Sequence, residues 1–186
     1  NLRVRRGARM KVDDQINLAG ALEVSFGAEF IPVKRAIASI ISISNGGIVT
    51  QLPTSGSAFF KVDLSANSLT VDFTSRIDVA AKGFLGGNRP GNPFGSSGMT
   101  IGFQQGSTGK SGGSYGGLGG LSEGAPNPVY GDFRDPNEPG SGGGGGGGSG
   151  GGLARIVAQT VQLDGSIVAD GGNFTGDGAG GSGGGV

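Results

Sequence analysis

Apolar and polar residues alternate in short runs along the first 82 residues. Leu2/Val4, Met10/Val12, Ile16/Leu18, Leu22/Val24, Ile41/Ile43, Val62/Leu64, Leu69/Val71 and Ile77/Val79 each place two apolar side chains on one face of a strand, because successive side chains of a strand point to opposite faces. Gly, Asn, Asp and Ser separate the runs, as turns require. The runs are also periodic: Leu2, Val4, Gly7, Ala8 and Met10 match Leu22, Val24, Gly27, Ala28 and Phe30 at an offset of 20. One eight-residue step separates Leu2 from Met10, Leu22 from Phe30 and Leu69 from Ile77. A constant step inside a period near 20 predicts an all-β fold in which parallel strands stack as a β-helix or solenoid. Its corners, Gly7-Ala8 and Gly27-Ala28, would lie over one another at about 4.8 Å. Residues 33–41 read as a further strand, because they are short and β-branched, with a short capping helix as the lesser option.

The pattern stops at Gly83. Of the 44 glycines, 6 fall in residues 1–82 and 38 in residues 83–186, and six of the eight prolines lie in residues 83–152. An irregular stretch of this length is uncommon inside a compact domain and is often functional. Alternation returns from Leu153 through Ile156, Val161, Leu163 and Ile167. The predicted organisation is therefore solenoid rungs over 1–82, a Gly/Pro-rich insertion packed on them over 83–152, a resumed rung over 153–170, and a second glycine-rich segment from 171 to 186. Ordering glycine costs about 1–2 kcal/mol of backbone entropy per residue. An ordered tract must recover that cost through backbone hydrogen bonds, as close-packed polyproline-II-like chains do. The spacing Gly113, Gly116, Gly119 suits such a segment.

Composition narrows the chemistry. Only 34% of the chain is hydrophobic and Trp is absent, so the core is narrow. Fourteen basic and fourteen acidic residues cancel, which removes any global attraction to nucleic acid or anionic membrane. Arg3, Arg5, Arg6, Arg9 and Lys11 read as a solvated outer strand face rather than a phosphate patch. No run approaches the ~18 apolar residues of a membrane span. The chain reads as a piece of a longer protein, beginning at Asn1 without Met or signal segment and ending at Val186 in a glycine tract. Without His or Cys the usual general bases, nucleophiles and transition-metal ligands are missing, so no enzyme, cofactor or metal is expected.

The remaining motifs are weak. Gly106-Ser-Thr-Gly109-Lys110-Ser111 ends like a phosphate-binding loop, but Gln104 stands where the motif needs glycine and no strand and helix flank it. The carboxylate pairs of a β-helical polysaccharide-cleaving enzyme would be Asp13-Asp14 or Asp132 with Asp135. The first pair points to opposite faces of a strand, and the second reads as a turn. Asn173-Phe-Thr175 is a glycosylation acceptor triplet. Phe84, Phe94, Phe103, Tyr115, Tyr130 and Phe133 either pin the insertion down or form an exposed binding surface, with anchoring the stronger reading.

Leu69-Thr-Val71, Lys82-Gly-Phe84, Gly112-Gly-Ser-Tyr115-Gly-Gly, Tyr130-Gly-Asp132, the glycine tract, Ala154-Arg-Ile156 and Asp164-Gly-Ser-Ile167 follow one another in an order that resembles the glycine-rich β-helix repeats of very large secreted or surface-attached, adhesin-like proteins. The resemblance covers residues 69–186. It implies a right-handed parallel β-helix with a structural or adhesive role. Thr175-Gly-Asp177-Gly-Ala-Gly-Gly lacks the paired register of toxin-type calcium repeats, so no motif supports calcium. The functional expectation is a structural or adhesive segment of an extracellular, cell-surface or virion-surface filament protein. Its partners would be neighbouring copies, further rungs of the same protein, surface glycans or a receptor. Tyr115, Tyr130, Phe133, Arg134, Gly142, Gly144, Gly146 and Gly148 form the candidate contact surface. The alternatives are a phage tail-fibre tip adhesin and, less so, a polysaccharide-cleaving enzyme.

Overall fold

A computed structural model describes all residues, 1–186. Ten strands form two five-stranded parallel sheets. The first sheet takes β1 (Leu2–Val4), β3 (Ile16–Ser25), β5 (Ala36–Ser44), β7 (Val62–Val71) and β11 (Ala154–Leu163), in that order. The second takes β2 (Arg9–Val12), β4 (Glu29–Pro32), β6 (Ile48–Thr50), β8 (Arg76–Asp78) and β12 (Ser166–Val168), paired in sequence order. A separate antiparallel pair, β9 (Met99–Thr100) and β10 (Gln104–Gln105), flanks a single 3-10 turn at Ile101–Phe103.

The 20-residue match fixes the register between neighbours, with Leu2 opposite Leu22 and Val4 opposite Val24. It extends into columns, Leu22–Ile41–Leu69–Val161 in the first sheet and Met10–Phe30–Val49–Ile77–Ile167 in the second. Leu22, Val24, Phe30, Ile41, Ile43, Val49, Leu69, Val71 and Ile77 are buried and form the core. Burying each large side chain stabilises the fold by about 1.5–3 kcal/mol.

The turns between the sheets are stacked as well. Arg6-Gly7, Phe26-Gly27 and Asn45-Gly46 all adopt positive φ, a conformation glycine enters without steric cost. Gly7 donates to the carbonyl of Phe26, and Gly27 to that of Asn45. The next level replaces this turn with Asp72, which accepts from the Asn45 amide at 2.7 Å and from the Thr74 amide and hydroxyl at 3.0 and 2.7 Å. Burial pushes the Asp72 carboxyl up, but these hydrogen bonds outweigh it and hold the pKa at about 2. The folded value lies below the ordinary 3.8, so the contribution is fully present above about pH 4 and is lost as pH falls toward 2. Allowing for solvent screening, Asp72→Asn is expected to cost about 1 kcal/mol at pH 7 and only a small fraction of that at pH 2, where the folded-state carboxyl is about half protonated. Urea melts of both proteins at the two pH values check this.

The expected right-handed parallel β-helix requires correction: the strands form two parallel sheets and no closed solenoid. A third stacked wall would need returns of constant length from level to level. Here the returns from the second sheet to the first occupy residues 13–15, 33–35, 51–61 and 79–153, so no third set of strands stacks. The capping-helix option for 33–41 gives way to strand β5.

The chain divides into two compact units. The first holds Asn1–Leu52, Lys61–Asp78 and Ala154–Val168, hence both large sheets; the second holds Pro53–Phe60, Val79–Leu153 and Ala169–Val186. In the second unit Phe84, Leu85 and Met99 form a buried apolar cluster, with Phe94, Phe103 and Tyr130 packed against it. Phe84 and Phe103 meet edge to face at 5.7 Å.

Most of the second unit is held by its backbone. Phe84 and Gly87 donate to Gly140 and Gly143; Gly140 and Gly143 donate to Gly151 and Gly148; Gly142 and Gly145 donate to Met99 and Ser96. Gly148 and Gly151 donate to Ala179 and Ser182, which donate in turn to Gly144 and Ser141. Partners recur at every third residue, the period of a three-fold extended helix rather than a two-fold strand. A strand bonds neighbours in one plane, whereas a three-residue period sends bonds in several directions. Residues 140–145 therefore bond to five other stretches at once, and a Cβ atom at most of these positions would occupy the space of a neighbouring backbone.

Candidate functional site

The candidate residues fall into two groups. Gly142, Gly144 and Gly148 are buried and Gly146 is half-buried. A Cβ on Gly142 would strike the backbone of Leu85, on Gly144 that of Gly109, on Gly146 that of Thr175 and on Gly148 that of Gly172. The tract was expected to supply contact surface; it is interior framework, because close backbone approach uses up its faces.

The other group lies on residues 114–139. Tyr115 is half-buried against Tyr130, with the rings tilted by 56° and their centroids 5.2 Å apart, and Gly131 leaves room for its ring. Burial raises the pKa of Tyr115, and the Glu138, Asp132 and Asp135 carboxylates add to the shift. Tyr130 donates to the Pro139 carbonyl at 2.6 Å, and burial drives its pKa up strongly. Tyr130 is thus an anchor. Phe133 is 70% exposed, and the Arg134 guanidinium sits 4.9 Å from its ring centre. Asp132 and Asp135 shape this turn: Asp132 Oδ1 accepts from the Arg134 amide, and the Asp132 carbonyl accepts from the Asp135 amide. Tyr115, Gly116, Phe133, Pro136, Gly183 and Gly184 line a recess of about 280 Å³. Leu118, Leu121 and Val129 on the same stretch are 70%, 74% and 48% exposed.

A buried polar network holds this stretch in place. Asn127, 2% exposed, donates from Nδ2 to Thr100 Oγ1, the Ser114 carbonyl and the Pro128 carbonyl. Its Oδ1 accepts from Ser107 Oγ and the Ser114 amide. Thr100 and Ser141 share a 2.8 Å hydrogen bond, and Ser141 donates to the Tyr130 hydroxyl. Each of these groups would cost about 1–3 kcal/mol if left buried and unpaired. Sequence reading missed Asn127, because one Asn-Pro step among many turn residues carries no sign of burial.

The other motifs resolve structurally. The amides of Gly106 and Lys110 donate to the Gly98 and Ser122 carbonyls, so the string does not converge on a phosphate. Lys110 pairs with Glu123 at 3.0 Å and reaches Asp177 at 3.8 Å; the Glu123 hydrogen bond, with Asp177 assisting, raises its pKa. Asp13 pairs with Lys11 and Asp14 with Lys34. Asn173 is exposed. No helix is long and apolar enough to cross a membrane. No protein-family model, curated protein or solved structure matches the chain.

Proposed function

We propose that the chain is a structural and adhesive segment of a large extracellular or virion-surface protein. Its sheets and backbone-bonded glycine unit act as stiff framework, and residues 114–139 make the contacts. The supporting observation is the exposure of Leu118, Leu121, Val129 and Phe133 on a stretch whose base is pinned by Asn127 and Tyr130. Exposed apolar side chains on a pre-ordered stretch bind with little further entropy loss. Surface glycans or a receptor are the partners this surface would meet.

Force spectroscopy of the protein on alkylated glass and on glycan-coated glass tests this. The triple variant Leu118→Ser, Leu121→Ser, Phe133→Ser is expected to lose adhesion at least fivefold while its circular dichroism is unchanged. Equal adhesion by variant and parent would refute the assignment. Exposure of these side chains on one pinned stretch is also compatible with a second reading, a phage tail-fibre tip adhesin that binds a host receptor. Saturable binding to intact bacterial cells of one strain, with no adhesion to alkylated glass, would favour it.

A further inference from the structure

The turns that lead from the first sheet to the second carry side chains that the fold does not need. Val24, Ile43 and Val71 pair before these turns, and Glu29, Ile48 and Arg76 pair after them, so Phe26, Asn45 and Phe73 hold one place on three successive levels. Arg6 holds that place one level earlier. Phe26 is 57% exposed and Phe73 83% exposed. Phe26 also sits at φ 57°, where a bulky side chain is strained. Arg6 and Asn45 fill the same position at φ 59° and 52°, so the turn closes without an aromatic residue. A strained ring facing solvent adds little to folding, and strain held at a surface points to a contact. The β1/β2 level lies beyond Phe26 and the β11/β12 level beyond Phe73, so the exposure belongs to the flank of the stack and not to its ends.

We propose that Phe26, Asn45 and Phe73 form a ladder that binds an extended, β-linked glycan of the cellulose or chitin type. The site goes beyond the contact stretch at residues 114–139 and lies wholly in the first unit. Stacked levels are about 4.7–4.9 Å apart, which carries the two rings about 9.5 Å apart along the stack. In a cellulose- or chitin-type chain each sugar is turned over relative to the one before, so every second sugar shows the same face at close to this interval. Pyranoses with all substituents equatorial expose a face of C–H groups, and that face packs on an aromatic ring. One sugar therefore lies on Phe26 and the next but one on Phe73.

The residue between the rings suits the sugar between. Asn45 is exposed, and its Nδ2 donates within the protein only to Ser44 Oγ, at 3.5 Å. Its side-chain amide is thus open to donate to and accept from sugar hydroxyls. The three residues carry no charge, which fits a neutral glycan. The ladder is also set before a ligand arrives. Gly27 donates to the Asn45 carbonyl, the Asn45 amide to the Asp72 carboxylate at 2.7 Å, and the Gly46 amide to Thr74 Oγ1 at 2.8 Å. Binding then orders little protein, which lowers its entropic cost. The α-linked chain of starch coils and cannot lay two sugars on both rings, and a disaccharide reaches only one of them.

Affinity electrophoresis in native gels containing hydroxyethylcellulose, with soluble starch as the α-linked counterpart, tests the proposal. The parent is expected to be retarded by the first and not by the second. Phe26→Asn and Phe73→Ser are each expected to weaken retardation about fivefold, and together to remove it. Phe26→Asn puts the residue type of Asn45 into the same turn, so its urea midpoint is expected to stay or rise while binding falls, which separates contact from folding. Co-sedimentation with powdered cellulose and with powdered chitin shows which of the two glycans is held. An unretarded parent, equal retardation by starch, or retardation unchanged by Phe26→Asn with Phe73→Ser overturns the proposal. The triple variant at Leu118, Leu121 and Phe133 is expected to be retarded like the parent, so failure of either site is read apart from the other.

Discussion

Gly142→Ala and Gly148→Ala are each expected to destabilise the second unit by about 3–5 kcal/mol, and together to unfold it while the two large sheets persist. The added methyl group at Gly142 would overlap the carbonyl of Leu85, and at Gly148 that of Gly172. These obstacles are backbone and cannot swing aside as a side chain can, so the cost exceeds ordinary overpacking of about 1–3 kcal/mol. Displacement also breaks bonds nearby, since Gly142 donates to Met99 and Gly148 to Ala179. Limited proteolysis is the check: cleavage is expected within residues 79–153, with the sheet strands β3, β5 and β7 left intact. Alanine at exposed Gly120, where a methyl group would meet nothing within 4 Å, is the control and is expected to be neutral.

Asn127→Ala is expected to cost about 3 kcal/mol and to release residues 114–139. Truncation removes the Asn127 side-chain amide from Thr100 and Ser107, which keep their bonds to Ser141 and to the Gly112 carbonyl, and strips the Ser114 amide of its acceptor. The protein has two tyrosines and no tryptophan, so its intrinsic fluorescence reports on Tyr115 and Tyr130 alone. Emission is expected to change at a denaturant concentration below that at which the circular dichroism of the sheets is lost. If the two transitions coincide at the parent midpoint, Asn127 does not pin the loop.

The molecule was legible where one periodic physical requirement governed many residues. Leu2/Leu22 and Val4/Val24 gave the strand register, because a stacked parallel pair demands like side chains in like places. Closure into a solenoid was not legible from those pairs. It depends on the returns, and the long ones at 51–61 and 79–153 carry no alternation to compare with 13–15 and 33–35. Glycine richness showed that backbone would have to bond to backbone. The trio Gly113, Gly116, Gly119 was the wrong place to read the period, since Gly116 adopts positive φ. The working repeats are pairs such as Gly140/Gly143 and Gly148/Gly151, which become visible only once their partners are known. For the same reason Gly142, Gly144 and Gly148 looked like surface, as a residue without a side chain offers no apolar or polar signal of burial. Of the aromatic residues, Phe84, Phe94, Phe103 and Tyr130 are anchors and Phe133 is exposed, a division set by packing in three dimensions.

Amide hydrogen exchange followed by NMR is the sharpest test of a rigid glycine-backbone framework that carries a contact loop. The amides of Gly140, Gly142, Gly143, Gly144, Gly148, Gly150 and Gly151 all donate to carbonyls within the unit, whereas Gly117 and Gly120 are exposed. The first set is expected to exchange at least about a thousandfold more slowly than the second, as cooperative opening of a bonded unit requires. Exchange of both sets at the same rapid rate would mean that the tract is loose chain, and the framework with its pre-ordered contact loop would be contradicted.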